Sequence, residues 1–374
     1  MKLESLHLKN FRTYENLNLD FESRLAFITG RNASGKTNII EAIGLLSQGK
    51  SFRGATDDDM IRAGQEGYFA SAKYRRGASS NSLEYGCERS GLQFKRKIKM
   101  NGKTLSGRSS LIGNLITVIF SPSDILIADG GPSYRRRFLD SVLSSQDRDY
   151  LKSLIMYNRS LRQRNAVLKS IREKRGRLFD LDVWDQAILP YAKKITETRL
   201  KFIEDFQSIF QQSLARISDS RDDLTIHLEA ENREDNLRDF AETLKKSRLR
   251  DTAAGHTTSG PHRNSLKFLS GGRDLLHFAS QGQKRSLVLA LRIAQFYFLK
   301  NNLGFSPVLL IDDVIRELDA GRRSAFVEIL HESGQALFTT PDLDGLEDFL
   351  AKLSGEISIY NVTGHGTVDR ARHG

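Results

Sequence analysis

The segment Gly30-Arg31-Asn32-Ala33-Ser34-Gly35-Lys36-Thr37 matches G-x-x-x-x-G-K-[ST] at every fixed position. The chemistry of that pattern is the capture of a nucleoside polyphosphate. Glycines let the backbone curl into a nest of N–H donors, Lys36 reaches the β- and γ-phosphates, and the Thr37 hydroxyl ligates Mg²⁺. A second, acidic element must hold the metal. Leu309-Leu310-Ile311-Asp312-Asp313 supplies it, as an apolar run that ends in two carboxylates. Asp312 would position Mg²⁺ through water, and Asp313 would polarise the attacking water.

These residues act only if the chain folds around them as strand, loop and helix. Leu25–Thr29 is continuously apolar and reads as a buried strand, and a helix is expected from Lys36 to about Ser47. Residues 1–29 open with two strands joined by a turn. Tyr68 to Met100 alternates in three stretches separated by Gly-, Ser- and Asn-containing turns, which predicts an antiparallel meander. Helical periodicity follows from Arg135 to Lys174 and from Asp182 to Ile217, with Pro190 expected to kink or open the second stretch. The loop Lys169–Arg177 would join them as an antiparallel arm. Beyond a strand at Leu224–Leu228 and a helix near Asp235–Leu249, Pro307–Ile311 reads as a central parallel strand. Helix and strand then repeat through Arg322–Leu330 and Ala336–Thr340.

Lys36 and Asp312 stand 276 positions apart, too far for a minimal nucleotide-binding domain. Something large is inserted between them. The expected division is an ATPase domain of residues 1–120 and 251–374, interrupted by a helical arm at 121–250. The expected fold class is α/β, a P-loop ATPase with an antiparallel β meander and an inserted α-helical arm.

ABC-type ATPases carry a signature loop that opens the helix before the metal strand, and two segments compete for it. Leu269-Ser270-Gly271-Gly272 has the transporter-like form, yet its flanks Leu266/Phe268 and Leu275/His277 favour a hairpin with Gly-Gly in the turn. Ser280-Gln281-Gly282-Gln283-Lys284-Arg285 instead precedes the helix leading to Asp312, with Ser280 as N-cap and Gly282 open to a phosphate. Ser280, Gln281 and Gly282 are therefore the signature candidates.

The composition limits the partners. Lys and Arg number 57 and Asp and Glu 46, a net charge of +11 that suits a polyanion. The single cysteine, Cys87, excludes an intramolecular disulfide and fits a reducing cytoplasm. The most apolar stretch, Leu111–Phe120, is interrupted by Gly113, Asn114 and Thr117, so no membrane segment is expected.

Taken in order, several motifs resemble the RecF family of bacterial recombination mediators. They are the phosphate loop, Lys50-Ser51-Phe52-Arg53, Ser121-Pro122-Ser123-Asp124, Gly131-Pro132 leading to Arg135–Asp140, Gly260–Arg263, Ser280–Arg285, and Asp312-Asp313 to Glu317-Leu318-Asp319. The resemblance spans nearly the whole chain. It implies an ABC-type P-loop ATPase head related to SMC and double-strand-break-repair ATPases, with a short helical arm, and ATP-dependent homodimerisation in which Ser280 of one subunit meets the nucleotide of the other. It also implies recognition of double-stranded DNA at gaps, RecR and RecO as partners, and RecA loading on strands coated by single-strand-binding protein.

Carried onto this sequence, the resemblance makes Lys36 and Thr37 phosphate and Mg²⁺ contacts, Asp312 the metal carboxylate and Asp313 the catalytic base. It places Asn10-Phe11-Arg12 beside the nucleotide, Ser121–Asp124 where such heads couple nucleotide to arm, and Glu317–Asp319 on the dimer side. Two positions depart from the family pattern. Asn264-Ser265 follows Gly260–Arg263 where acidic residues are expected, and Phe338-Thr339-Thr340-Pro341 lacks the expected histidine sensor of the γ-phosphate.

The basic charge then has a use. Arg135-Arg136-Arg137, Arg159, Arg162, Arg164, Lys169, Arg172, Lys174, Arg175, Arg177 and Lys95-Arg96-Lys97 would neutralise duplex phosphates. The alternatives are a solvated arm tip and ordinary alternating strand charges. No interleaving of aromatic and basic residues along the chain suggests single-strand stacking. Two other function classes compete: a transporter-type ATPase subunit, and an SMC-like structural DNA clamp with a weak or vestigial ATPase. No second carboxylate cluster suggests a nuclease.

Overall fold

Leu25–Thr29 forms the middle of a sheet in the computed structural model, which describes residues 1–217, 224–229, 237–363 and 367–373. The chain begins with strands β1 (Lys2–Phe11), β2 (Tyr14–Asp20) and β3 (Leu25–Thr29), then helices α1 (Lys36–Gln48) and α2 (Asp57–Met60). Strands β4 (Gly67–Arg76), β5 (Ser79–Ser90), β6 (Gln93–Met100), β7 (Lys103–Thr104) and β8 (Thr117–Phe120) follow. Helices α3 (Leu126–Asp129), α4 (Pro132–Gln146), α5 (Arg148–Arg172) and α6 (Asp182–Ile217) lead to β9 (Leu224–Glu229), α7 (Leu237–Ala254), β10 (Ser265–Ser270) and β11 (Arg273–Asp274). The chain continues through α8 (Gln281–Leu303), β12 (Val308–Asp312), α9 (Ala320–Glu332), β13 (Gln335–Thr340), α10 (Glu347–Ala351), β14 (Ile357–Thr363) and β15 (Thr367–His373).

Two compact units result. The first comprises Met1–Ile125, Gln212–Ser220 and Arg285–Gly374, and the second Leu126–Gln211 and Arg221–Lys284. Against the boundaries expected from sequence, residues 251–284 fall with the helical unit.

The first unit holds two sheets. One, in the order β15-β14-β3-β13-β12-β8, has parallel neighbours from β14 to β8 and an antiparallel edge at β15. The phosphate-loop strand β3 and the acidic strand β12 are thus not adjacent, because β13 lies between them. Strands β3, β8, β12 and β13 are buried at every position, as parallel strands covered on both faces must be. The rings of Phe27 and Phe338 stack 4.5 Å apart across β3 and β13.

The other sheet, β2-β1-β4-β5-β6-β7, is antiparallel throughout. Leu6, Leu8, Ala70, Ala72, Leu83, Tyr85 and Ile98 are buried on one face, while the alternate positions meet solvent. Helix α1 packs against both sheets. This is why it is apolar almost all round: Ile39, Ile40, Ile43, Leu45 and Leu46 are fully buried, each side chain contributing roughly 1.5–3 kcal/mol of transfer free energy.

In the second unit α4 packs on α5 and β10, and α5 on α7. The helical period expected from Arg135 to Lys174 is two helices, because Asp147 caps α5 by accepting from the N–H groups of Asp149 and Tyr150. Helix α5 runs to Arg172, so the loop expected at Lys169–Arg177 is shorter than the basic composition suggested. Pro190 lies inside α6 as its ninth residue, and the helix continues through it to Ile217. Of the helix expected near Asp235–Leu249, residues 235–236 lie outside the described residues, and the described part extends to Ala254. Leu269-Ser270-Gly271-Gly272 is a hairpin, as its flanks indicated. Leu269 pairs with Asp274 and Ser270 with Arg273, and Gly271 and Gly272 take φ of 55° and 78°, which a tight primed turn requires.

Candidate functional site

The loop after β3 turns on glycines that nothing larger could replace. Gly30 has φ 142°, and a Cβ there would lie 2.4 Å from the carbonyl oxygen of Val362. Gly35 has φ 113°, and its Cβ would lie 2.7 Å from Thr13 Oγ1 and 2.9 Å from the Tyr14 hydroxyl. That hydroxyl donates to the Gly35 carbonyl at 3.1 Å, so the loop is clamped by the strand hairpin beneath it. Gly35 precedes α1 without a side-chain cap, and the first turn carries no acidic residue. The amide N–H groups and the positive end of the helix therefore face an anion unopposed.

Lys36 is 4% exposed, and its Nζ donates to the carbonyls of Gly30 at 2.8 Å and Arg31 at 3.0 Å. Burial lowers its pKa, and the Asp313 and Asp312 carboxylates pull it back up. Thr37 Oγ1 donates to Asp312 Oδ1 at 2.8 Å. The same carboxylate oxygen accepts from Thr339 Oγ1 at 2.7 Å, from the strand between β3 and β12. Burial raises the pKa of Asp312, partly offset by the two hydroxyl donors.

Asp313 sits in the left-handed region at φ 52°, a turn that takes the chain out of β12. Its N–H donates to Thr339 Oγ1 at 3.0 Å, and its buried Oδ1 accepts no hydrogen bond among the described residues. A carboxylate oxygen without a donor suits a group that must accept a proton from, or align, a water.

A cleft of about 1110 Å³ opens over this loop, lined among others by Arg12, Thr13, Gly30–Ser34, Arg62, Pro341 and Asn361–Thr363. The donor set fits a nucleoside triphosphate with Mg²⁺: uncapped amides and an amine for phosphates, one hydroxyl and one carboxylate for a hard cation. Among the described residues no cluster of three or more His, Cys, Asp or Glu could hold a metal on its own. A cation here must be completed by phosphate oxygens and water.

Arg12, expected beside the nucleotide, lines the cleft and is fixed by Glu41, to which its Nε and Nη2 both donate at 2.9 Å. Glu41 is fully buried on α1 and also accepts from Ser51 Oγ at 2.5 Å, with Arg53 at 3.7 Å. Sequence reasoning quoted Ser51 and Arg53 as a motif but missed their common partner. The available signal was a lone carboxylate within the apolar run Ile39-Ile40-Glu41-Ala42-Ile43. Thr13, Tyr14 and Arg62 were also missed, and Thr339 was quoted only for the histidine its segment lacks.

Ser280, Gln281 and Gly282 belong to the second unit. There Ser280 N–H donates to Gln283 Oε1 at 2.9 Å and Gln283 N–H to Ser280 Oγ at 3.2 Å, a reciprocal cap that starts α8. Ser121–Asp124 follows β8, where Asp124 receives two nitrogens of Arg292, at 2.5 and 3.0 Å. Asp319 caps α9 at Arg322 N–H. In the Gly260–Arg263 segment, the Pro261 carbonyl accepts from Arg199 at 2.7 Å, and His262 Nδ1 lies 2.6 Å from the Tyr157 hydroxyl.

The basic residues separate into two sets. Arg164 is fully buried, ion-paired at 2.7 Å with both Asp185 and Asp251, and Arg135 is buried and donates to the Gly130 carbonyl. Neither can reach DNA, contrary to the sequence expectation, because each answers buried acceptors of its own unit. Arg96 is committed to Asp57. Arg159, Arg162, Lys169, Arg172, Lys174, Arg175, Arg177, Lys95 and Lys97 are exposed. No helix among the described residues is long and apolar enough to cross a membrane.

The sequence matches the RecF/RecN/SMC N terminal domain family over residues 2–347. It is 42% identical over 360 residues to the DNA replication and repair protein RecF of Leptospira interrogans serogroup Icterohaemorrhagiae serovar Lai, covering 96% of this chain and 97% of the relative. A solved structure described as the recombination mediator protein RecF with ATP in the RecFOR pathway has a TM-score of 0.89 at 32% identity, over 99% of this chain and 97% of that one. The Smc head domain of Pyrococcus furiosus, at 17% identity and TM-score 0.54 over 100% of this chain and 96% of that one, shares the fold.

Proposed function

The chain belongs to the RecF family of DNA replication and repair proteins, and on that basis we propose how its residues carry an ATP-dependent, DNA-binding recombination mediator. It is an ABC-type ATPase of the SMC-like group. The observation that carries the reading is the bond from Thr37 to Asp312, which joins the phosphate loop to the acidic strand at the point where a triphosphate and its cation would meet.

In this proposal the loop amides of Gly30–Thr37 and the Lys36 amine bind the phosphates, and Arg12 borders the nucleotide. Thr37 and Asp312 hold Mg²⁺, which when bound neutralises charge developing on the phosphate oxygens. Asp313 orients the attacking water and takes its proton. Ser280, Gln281 and Gly282 form the signature that contacts the nucleotide of a second subunit, so that ATP favours a homodimer. The exposed arginines and lysines of α5 and the following loop grip phosphates of double-stranded DNA at gaps. RecR and RecO are the proposed partners, RecA loading the outcome, and the cytoplasm the place of action. What supports these finer points is the family membership together with the exposed basic set. The transporter-type alternative has less to stand on, because the LSGG segment forms a hairpin turn.

Steady-state ATP turnover with and without gapped duplex DNA, with Lys36→Arg as control, tests the reading. Slow turnover that rises with DNA and is lost in the control supports it. Turnover indifferent to DNA at low salt, or DNA binding without any ATP binding, overturns it.

A further inference from the structure

Aromatic and basic residues do not interleave along the chain, but they do across the antiparallel sheet. Lys9 of β1 stands opposite Phe69 of β4, Phe69 opposite Gly86 of β5, and Gly86 opposite Lys97 of β6. The four positions form one rung across four strands. With strands about 4.8 Å apart, the rung spans roughly 14 Å, with a lysine at each end. All four point to the solvent face, because their neighbours Leu8, Tyr68, Ala70, Tyr85, Cys87 and Ile98 fill the opposite one.

The middle of the rung is flat. Gly86 offers no side chain, and the Phe69 ring leans over it, with Cδ2 3.8 Å from where a Cβ on Gly86 would sit. Such a ring over a glycine is a known way to protect a strand, and Phe69 is half-buried, so part of its ring meets solvent. The imidazole of His7 lies on the adjacent rung, its centroid 5.6 Å from that of Phe69. A cleft of about 500 Å³ lies over this place, and its charged lining groups are Lys9, Lys95, Arg96 and Lys97 against Glu66 and Glu88. Arg96 is held by Asp57, and Lys99 on the neighbouring rung is paired with Glu84 at 3.3 Å. The outward charge beside Phe69 is therefore that of Lys9, Lys95 and Lys97 set against two glutamates.

We propose that this rung, Lys9-Phe69-Gly86-Lys97, is a stacking platform for an unpaired nucleotide of single-stranded DNA, with the base on Phe69 and the flanking phosphates on the two lysines. A duplex offers only its backbone to a flat sheet, because its bases are already stacked on one another. An unpaired base has a free π-face for the ring, and a sheet-borne aromatic between lysines recognises that without reading sequence. The inference rests on the DNA-binding reading above and adds to it a second kind of contact, at the unpaired part of a gap.

The test uses the full chain with ATP and two probes, a short oligothymidylate carrying a 2-aminopurine and a blunt duplex. Phe69→Leu keeps an apolar cover over Gly86 but removes the π-face. It should weaken oligothymidylate binding about tenfold and abolish the 2-aminopurine quenching, while Phe69→Tyr retains both. Lys97→Ala should lower the salt slope of that binding by about 0.7. Duplex affinity and binding of a fluorescent ATP analogue should stay at the wild-type level in Phe69→Leu. If Phe69→Leu binds the oligothymidylate as wild type does, the ring is packing alone and the platform is refuted. A wild-type protein that binds duplex but not the oligothymidylate sinks this inference and spares the broader reading; one that binds neither sinks both.

Discussion

Thr37 Oγ1 lies 2.8 Å from Asp312 Oδ1 although 275 positions separate the two residues. The contact crosses over β13, whose Thr339 donates to the same oxygen at 2.7 Å. One carboxylate thus ties the first turn of α1, the acidic strand and the strand between them. A buried carboxylate held by two hydroxyls has its orientation set before a cation arrives.

Asp312→Asn keeps the size of the side chain and removes its charge. Steady-state ATP turnover should fall about a hundredfold or more, the loss seen when one preorganised electrostatic contact to a reacting centre is removed. ATP binding measured without divalent cation should change little. A variant with wild-type turnover would show that the cation is held elsewhere.

Gly35→Ala places a methyl group 2.7 Å from Thr13 Oγ1 at a φ of 113°. The loop cannot absorb this without moving, at a cost of about 1–3 kcal/mol for a non-glycine residue in such a conformation. Urea unfolding should register that loss, and titration with a fluorescent ATP analogue should show affinity reduced at least tenfold. Unchanged affinity would mean that the loop relaxes freely.

Two arginines two positions apart should separate stability from DNA binding. Arg164→Ala removes the buried cation of Asp251 and one of the two arginines paired with Asp185, and should cost about 3–5 kcal/mol in denaturant unfolding. Arg162, exposed on the same helix, should show no change in urea midpoint when replaced by Ala, but a weaker duplex affinity and a shallower salt dependence. Equal behaviour of the two variants in both assays would contradict the division drawn here.

His262 gives the helical unit a pH-dependent term. Its Nε2–H donates to the Thr257 carbonyl at 3.1 Å, and its Nδ1 then accepts from the Tyr157 hydroxyl at 2.6 Å, so the ring is held neutral. Burial, with Arg263 and Arg136 nearby, pushes its pKa down to about 4. The unfolded chain, titrating near 6.5, takes up a proton that the folded one refuses, so stability is complete above about pH 6.5 and declines toward pH 4. The full loss is about 3 kcal/mol. Urea midpoints from neutral to acidic pH should show a decline that His262→Gln flattens; an identical slope in that variant would assign the decline to other groups.

The phosphate loop, its strand and its helix were legible because the motif and the periodicity concern neighbours in sequence. Asp312 was legible for the same reason: an apolar run ending in carboxylates is a local pattern. What the sequence hid was pairing. Glu41 is the single carboxylate of α1, and its partners Arg12 and Ser51 reach it only in the fold. Arg164 and Arg162 are alike in type and spacing, and only the positions of Asp185 and Asp251 decide which is buried. Pro190 removes one i→i−4 hydrogen bond in the third turn of α6 but does not end the helix, which runs on to Ile217. The Lys9-Phe69-Lys97 rung was invisible along the chain, since cross-strand register creates it.

Glu41 also joins Arg12 before the phosphate loop to Ser51 and Arg53 after α1. Because all three meet one buried carboxylate, their energetic contributions cannot be independent. Removing any one donor redistributes the remaining contacts, and removing Glu41 leaves the donors with nothing to share. Double-mutant cycles around this group should therefore give large coupling energies, whereas Arg12 paired with the remote Arg370 should give simple additivity. Over evolutionary time the four positions would be exchanged together or not at all, a constraint that belongs to the group and to none of its members alone.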